Sequence, residues 1–504
     1  MAPENKYIKI NPADNVAVAL KDLTCGETIA VDGEIITTRT TIPAGHKVAL
    51  QEIMTGENIL KYGFPIGHAL HEIQPGELLD HHNISTNLSG KLDYSDINIQ
   101  ETLSNYHIDR NNERIFNGYV RKDGQVGIRN EIWVIPTVGC VNGIVKQIVD
   151  HLNAETNAEG VDGIFGFPHN YGCSQLGDDH ENTRRILRDM VHHPNAGGIL
   201  VVGLGCENNS PHLFEEFCGS YDRDRIKFMV CQEVEGDEVE EGVKILRKLY
   251  ENAKGIKRTT VPLSKLRVGL KCGGSDGFSG ITANPLLGAF SDYLCEAQGG
   301  TAVLTEVPEM FGAETILMKR SADENVLKDT IALINNFKEY FLSHGEAVGE
   351  NPSPGNKAGG ISTLEEKALG CTQKSGSSKV CGVLQYGERI KNHGLNLLSA
   401  PGNDLVATTA LGAAGCQLVL FTTGRGTPFV TFVPTIKISS NSSLARRKPK
   451  WIDFNAGVLI ENVSIKQLLV KFIDFIIDVA SGKYVNSEKS GIHEIAIFKN
   501  GITL

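Results

Sequence analysis

Apolar and polar positions change rhythm once along this chain. Through residues 1–90 a short phrase recurs in which an apolar residue and two fillers lead to a glycine: Leu23-Thr24-Cys25-Gly26, Ile42-Pro43-Ala44-Gly45, Ile53-Met54-Thr55-Gly56 and Ile73-Gln74-Pro75-Gly76. Short β-rich segments such as 35–42 lie between, so this part predicts a small, turn-dense β-domain. Residues 91–117 are polar with little periodicity and read as a linker. Beyond them, apolar runs at 132–136, 161–167, 199–204, 227–230, 267–270, 301–304 and 417–421 alternate with helical spacing at 142–152, 182–192, 239–250, 325–341 and 465–480. That alternation predicts an α/β body built on an open, Rossmann-like sheet. The Gly-, Pro-, Ser- and Lys-rich stretch 351–378 either divides the body into two lobes, 118–350 and 351–504, or forms an active-site loop.

The cysteines sit where core packing alone would not put them. Five of the 11 directly follow a glycine (Cys140, Cys173, Cys206, Cys371 and Cys416), and Cys272 precedes Gly273-Gly274. Cys140, Cys173 and Cys206 follow three of the apolar runs, at the carboxyl ends where open α/β sheets bind ligands. The steps from Cys140 to Cys173 and from Cys173 to Cys206 are both 33 residues, about one strand-helix-strand unit, so equivalent strand ends can deliver these thiols to one crevice. The competing reading is a small pair at tight turns.

Composition narrows the class. A 41% apolar and 22% charged chain of 504 residues is ordinary for a globular protein. The run 468–480 is broken by Lys471, Asp474 and Asp478, and residues 1–10 carry no signal-peptide apolar stretch, so a cytoplasmic location and no membrane are expected. A net charge of −11 argues against a nucleic-acid surface. No G-x-G-x-x-G follows a strand and no G-x-x-x-x-G-K-[ST] occurs, so no nucleotide cofactor is expected. Five polar phrases remain: 206–209, 272–277, 351–357, 401–404 and 423–428. Their Asn, Ser and Thr suit hydroxyls, their Lys and Arg a carboxylate, and their glycines let backbone N–H groups approach. A polyhydroxy acid fits that set, against the alternative of ordinary turn chemistry.

Gly45-His46-Lys47, Lys61-Tyr62-Gly63, Pro65-Ile66-Gly67, Pro136-Thr137-Val138-Gly139-Cys140-Val141-Asn142, His169-Asn170-Tyr171-Gly172-Cys173-Ser174-Gln175, Gly205-Cys206-Glu207-Asn208, Cys272-Gly273-Gly274-Ser275-Asp276, Pro352-Ser353-Pro354-Gly355-Asn356 and Thr423-Gly424-Arg425-Gly426-Thr427-Pro428 resemble the altronate/galactarate dehydratase family almost end to end. The resemblance implies an N-terminal β-clip module of the SAF type and dehydration of an aldonic acid, with iron(II) or manganese(II) as activator. The substrate to expect is a small sugar acid such as D-altronate, dehydrated to the 2-keto-3-deoxy acid by a chain that forms a homodimer. A galactarate or sulfo-hydroxy-acid lyase shares nearly every motif, and a non-catalytic sugar-acid-binding protein is the alternative from another class.

Dehydration asks for a base at C2, an acid for the C3 hydroxyl and a cation for the developing charge. The catalytic candidates are His46, Lys47, His169, Asp179 and His180, with Lys47 facing the substrate carboxylate and His169 or His180 as base. Asn208, Asn209, Ser275, Asn356, Lys357 and Arg425 are the substrate-binding candidates. His46 and His82 are expected to fold over the strand ends and complete a metal site with Glu207, supported by Cys140, Cys173 and Cys206. An iron–sulfur cluster on the thiols is the alternative, and the missing C-x-x-C spacing counts against it. Equally, these histidines can be turn residues that satisfy backbone groups.

Overall fold

The computed structural model describes residues 6–100, 112–349, 351–461 and 463–501. In the N-terminal β-domain, Tyr7–Ile8, Val16–Ala19, Lys47–Ala49 and Leu78–Leu79 form an antiparallel sheet, flanked by the hairpin Thr28–Val31/Glu34–Thr37 and by Asn58–Lys61, Phe64–Ala69 and Ile84–Ser85. The repeated phrase has a structural cause. Its apolar residues pair across the domain, Leu23 with Ile42 and Ile53 with Ile73, and all four are fully buried. The glycines that end each phrase all take positive φ, which only glycine adopts cheaply.

Two parallel sheets make up most of the body. The first carries β1 (Glu131–Pro136), β2 (Ile164–Gly166), β3 (Ala196–Gly203) and β4 (Ile226–Val230) in the order β2-β1-β3-β4. The second carries β5 (Arg267–Cys272), β6 (Thr301–Leu304), β7 (Val380–Leu384), β8 (Gly394–Leu398), β9 (Leu418–Thr423), β10 (Thr435–Ser439) and β11 (Phe454–Asn455) in the order β7-β8-β6-β5-β9-β10-β11. β1, β3 and β9 are buried along their whole length, because layers cover both faces of each sheet; their sequences therefore read as unbroken runs rather than alternations.

The expected helices appear as α1 (Asn142–Thr156), α2 (Gly177–Val191), α3 (Glu238–Lys254), α5 (Glu324–Ser343) and α9 (Ile465–Ala480), joined by α4 (Ala283–Asp292), α6 (Pro354–Ala358), α7 (Leu364–Thr372) and α8 (Asp404–Ala413). One face of the first sheet packs on α1 and α3. The other shares a core with α8 and the second sheet, in which Trp133, Phe167 and Leu187 meet Leu411, Val419 and Phe432.

Two expected boundaries need correction. The division at 350/351 cuts through the second sheet, since β5 and β6 precede it and β7 to β11 follow. The stretch that suggested it folds into α6 and α7 instead, because Ser353 and Thr363 cap those helices. Of the expected linker 91–117, residues 101–111 lie outside the described residues, while Tyr94 is buried, donates to Glu314 and accepts from Lys338 at 2.9 Å. That part is packed onto the body.

Candidate active site

In the second sheet the chain leaves β5 to build β6 on one side and later returns to place β9 on the other. A crevice opens at the carboxyl ends where the winding reverses. Four of the five polar phrases converge there. Gly273 N–H donates to Thr422 O at 3.0 Å, both Gly424 and Arg425 N–H donate to Gly274 O at 3.0 Å, and Gly277 N–H donates to Gly359 O at 2.8 Å. Asn356 Nδ2 donates to Ser275 O at 2.9 Å, and Asp404 from the 401–404 phrase receives Lys271 Nζ at 2.9 Å. The β-domain caps the crevice. A Cβ at Gly277 would lie 1.9 Å from Gly45 O and one at Gly360 2.4 Å from the same atom, so glycine at both positions lets the Gly45-His46 turn sit directly on the body.

The floor of the crevice is built from buried charge. Cys272 and Cys371 Sγ each donate to Glu309 Oε2 at 3.1 Å and lie 3.2 Å apart, and the three donor groups fall within 4.8 Å of one another. Lys367 pairs with Glu309 at 2.8 Å, Lys374 with Glu306 at 2.9 Å, and Lys271 with Glu306 and Asp404. Burial disfavours the ionised Glu309, but Lys367, Lys271 and Lys374 outweigh it and hold its carboxyl far below the usual range. The hydrogen bond with Cys272, and then burial, push the Cys371 thiol well up.

These charges fit a divalent ion. With both thiols protonated, the carboxylates of Glu306, Glu309 and Asp404 balance the three ammoniums; loss of both protons leaves two negative charges for a dication to neutralise. Two sulfurs beside one carboxylate make a donor set for a divalent transition metal.

A second charged cluster clamps the β-domain. Lys47 Nζ donates to Gly360 O at 2.8 Å, Ser362 Oγ at 2.9 Å and Glu366 Oε2 at 2.9 Å, and Lys61 Nζ donates to Glu366 Oε1 at 2.7 Å. All three charged side chains are at most 1% exposed. Burial opposes ionisation of Glu366, yet the two ammoniums bring its carboxyl down to about 2. Lys61, Tyr62, Ser275, Asp276, Glu366 and Cys371 enclose a cavity of about 10 Å³, the space of about one water.

The structure redistributes the candidates. His46 lies at the crevice, half-buried, with Nδ1 unpartnered among the described residues; burial and then the Lys47 charge lower its pKa. Ser275 is buried with an unpartnered hydroxyl, Asn356 locks the loop that holds it, and the exposed Arg425 lies against Gly355, two residues from Lys357. Neither Lys357 nor Arg425 has a side-chain partner among the described residues.

Other expectations are corrected. Lys47 is held by Glu366 and is not free for a substrate carboxylate. His82 is exposed beside Asp80 and His81, away from Glu207, because the β-domain docks on the second sheet and not the first. Glu207 is instead buried at the end of β3, accepting from Thr137 Oγ1 at 2.7 Å and from Leu204 and Gly205 N–H. His169 Nε2 meets Pro136 O at 2.8 Å while Nδ1 accepts from Tyr171 N–H, and burial lowers its pKa to about 4; both nitrogens are used by the backbone. Asp179 anchors the C-terminal segment by accepting from Asn500 and Gly501 N–H, and His180 shares its helix, α2, on the first sheet. Asn208 and Asn209 tie the turns of that same sheet. Of the residues missed, Cys272, Cys371 and Lys61 lay in phrases already visible, whereas Glu309 and Glu366 stand in no recognisable phrase.

Comparisons with known proteins cover nearly the whole chain. Residues 5–87 match the altronate/galactarate dehydratase SAF domain, 118–254 the D-galactarate dehydratase/altronate hydrolase second domain, and 263–503 the D-galactarate/altronate dehydratase C-terminal region. The chain is 55% identical over 502 residues to altronate dehydratase of Bacillus subtilis (strain 168), covering 99% of each protein. It is 54% identical over 506 residues to altronate dehydratase of Escherichia coli (strain K12), covering 99% of this chain and 100% of that one. Against galactarate dehydratase (L-threo-forming) of the same E. coli strain, identity falls to 34% over 518 residues, covering 98% of this chain and 97% of the relative.

Proposed function

The chain belongs to the altronate/galactarate dehydratase family, and from that premise we propose that it is a hydro-lyase that removes water from D-altronate to give 2-dehydro-3-deoxy-D-gluconate. The observation that carries the reading is the convergence of four polar phrases and the His46 turn on one switch-point crevice. The gap between 54–55% identity to altronate dehydratases and 34% to the galactarate enzyme supports the monocarboxylate as substrate. The two parallel sheets read as two Rossmann-like lobes that divide between residues 254 and 267, and no helix among the described residues is long and apolar enough to cross a membrane.

The residues divide the work by position. Arg425 and Lys357, the unpartnered cations at the mouth, take the substrate carboxylate, and the free Ser275 hydroxyl bonds a sugar hydroxyl. His46, kept neutral by burial, takes the C2 proton and passes it to the hydroxide leaving C3, so one water departs and the enol becomes the 2-keto acid. Cys272, Glu309 and Cys371 would hold the divalent ion, which when bound supplies Lewis-acid stabilisation of charge developing next to the carboxylate. The β-domain turn over the crevice helps exclude water from the reacting carbons.

Incubation of iron(II)-loaded protein with a panel of aldonates and aldarates, scored for 2-keto acid, tests the reading. Turnover of D-altronate well above galactarate is expected. Preference for the dicarboxylate, or no 2-keto acid from any member of the panel, overturns it.

A further inference from the structure

The three thiols of the first sheet take no part in that crevice, and their setting has a chemistry of its own. Cys140 follows β1, Cys173 follows β2 and Cys206 follows β3, three neighbouring strands in the order β2-β1-β3. This sheet also reverses its winding between β1 and β3, so the thiols stand at its switch point, where ligands bind. Adjacent strands lie about 4.8 Å apart, which brings the three turns within about 10 Å. All three cysteines are exposed, whereas Cys218, Cys272, Cys371 and Cys416 are buried, and a free cysteine placed for packing alone is usually buried.

The turns share one grammar, Gly-Cys-x-Asn/Gln, and each amide braces the assembly. Asn142 Nδ2 donates to His169 O at 2.8 Å, Gln175 Oε1 accepts from Gly172 N–H at 3.0 Å, and Asn208 Oδ1 accepts from Ser174 N–H at 2.8 Å. Gly172 has φ +99° and a Cβ there would lie 2.1 Å from Thr137 O; Ser174 also takes a positive φ, of 56°. Asn209 N–H closes onto Gly172 O at 3.0 Å. Strained, interlocked backbone that ends in three exposed thiols is a preformed cradle.

The spacing of the strand ends favours an occupant larger than one ion. Among the described residues, the groups whose donor atoms all lie within 4.8 Å of one another do not include this trio, so the thiols stand too far apart to share one ion's coordination shell. We propose that Cys140, Cys173 and Cys206 bind a [4Fe–4S] cluster, with one iron free of protein ligand and open to a small oxygen donor. The absent C-x-x-C spacing is no obstacle, because the ligands come from three parallel strands rather than from one loop.

The test uses the full-length chain purified without oxygen. Iron and acid-labile sulfide near about four of each per chain are expected, with broad visible absorption. Cys140→Ser, Cys173→Ser and Cys206→Ser should each remove most of the sulfide and the absorption, while Cys25→Ser, at another exposed thiol, and Cys272→Ser, at the other candidate metal site, should keep both. Iron without labile sulfide, or sulfide that survives all three serine variants, overturns the proposal. D-altronate turnover by a sulfide-free protein would overturn it and leave the dehydratase reading intact; sulfide without turnover would do the reverse.

Discussion

Glu366→Gln tests whether the buried clamp holds the β-domain over the crevice. The carboxylate is the shared partner of Lys47 and Lys61 and also accepts from Ser362 N–H at 2.8 Å. A neutral amide leaves two ammoniums in a site that is at most 1% exposed. Removing one member of a buried ion pair costs about 3–5 kcal/mol, but the glutamine oxygen still accepts one lysine hydrogen bond, so about 3 kcal/mol of docking energy is expected to be lost. At about 1.4 kcal/mol per tenfold, that opens the domain about a hundredfold more often. Hydrogen exchange should accelerate by about that factor in Lys47–Ala49 and α7, with little change in β1 and β3, and kcat/KM should fall as the crevice loses its cap.

Replacing Lys47, Lys61 and Glu366 together by methionine and leucine should recover most of the protection, since an apolar trio carries no desolvated charge. The pH dependence has a definite sign. The Glu366 carboxyl is depressed from 4.5 to about 2, so its stabilisation is complete above about pH 4.5 and is lost as pH falls towards 2. Exchange rates in Glu366→Gln within a factor of two of the parent would refute the clamp.

His46→Ala should lower kcat/KM by at least about a hundredfold, the scale of a lost acid–base group; because burial lowers its pKa below 6.5, the acid limb of the pH–rate profile should have its midpoint below pH 6.5, and a midpoint above that would remove His46 as base. Arg425→Ala and Lys357→Ala should act mainly on KM, and an unchanged KM in both places the carboxylate elsewhere. Chelation should abolish turnover and iron(II) restore it, with about two protons released per ion bound if both thiols ionise; Cys272→Ser and Cys371→Ser should each weaken that uptake in a metal titration. Asp179→Ala should release the segment around Asn500, seen as faster proteolysis near the C-terminus, with kcat unchanged.

Local pattern settled much of this protein. The apolar runs named seven strands, helical spacing named five helices, and the glycine phrases announced a β-domain whose paired turns the structure contains. The polar phrases at 272–277, 351–357, 401–404 and 423–428, which the structure gathers at one crevice, were legible as candidates for binding because Asn, Ser, Gly and a cation at a strand end need little context to be read. The family resemblance came from the same residues, so fold class and chemistry were available before any coordinates.

What the sequence by itself could not determine was which strand ends share a crevice. The histidine turn was expected over the first sheet, near Glu207, and docks instead on the second, because that choice rests on contacts between residues far apart in the chain: Gly45 against Gly277 and Gly360, and Lys47 and Lys61 against Glu366. For the same reason Glu309 gave no local sign. A carboxylate becomes a metal-ligand candidate only when folding brings two thiols and a balancing lysine to it, and ion pairing across more than 300 residues, as between Lys47 and Glu366, leaves no periodicity to read. Short-range propensity and burial pattern determine the elements; desolvation and charge balance, which exist only once those elements pack, decide the site.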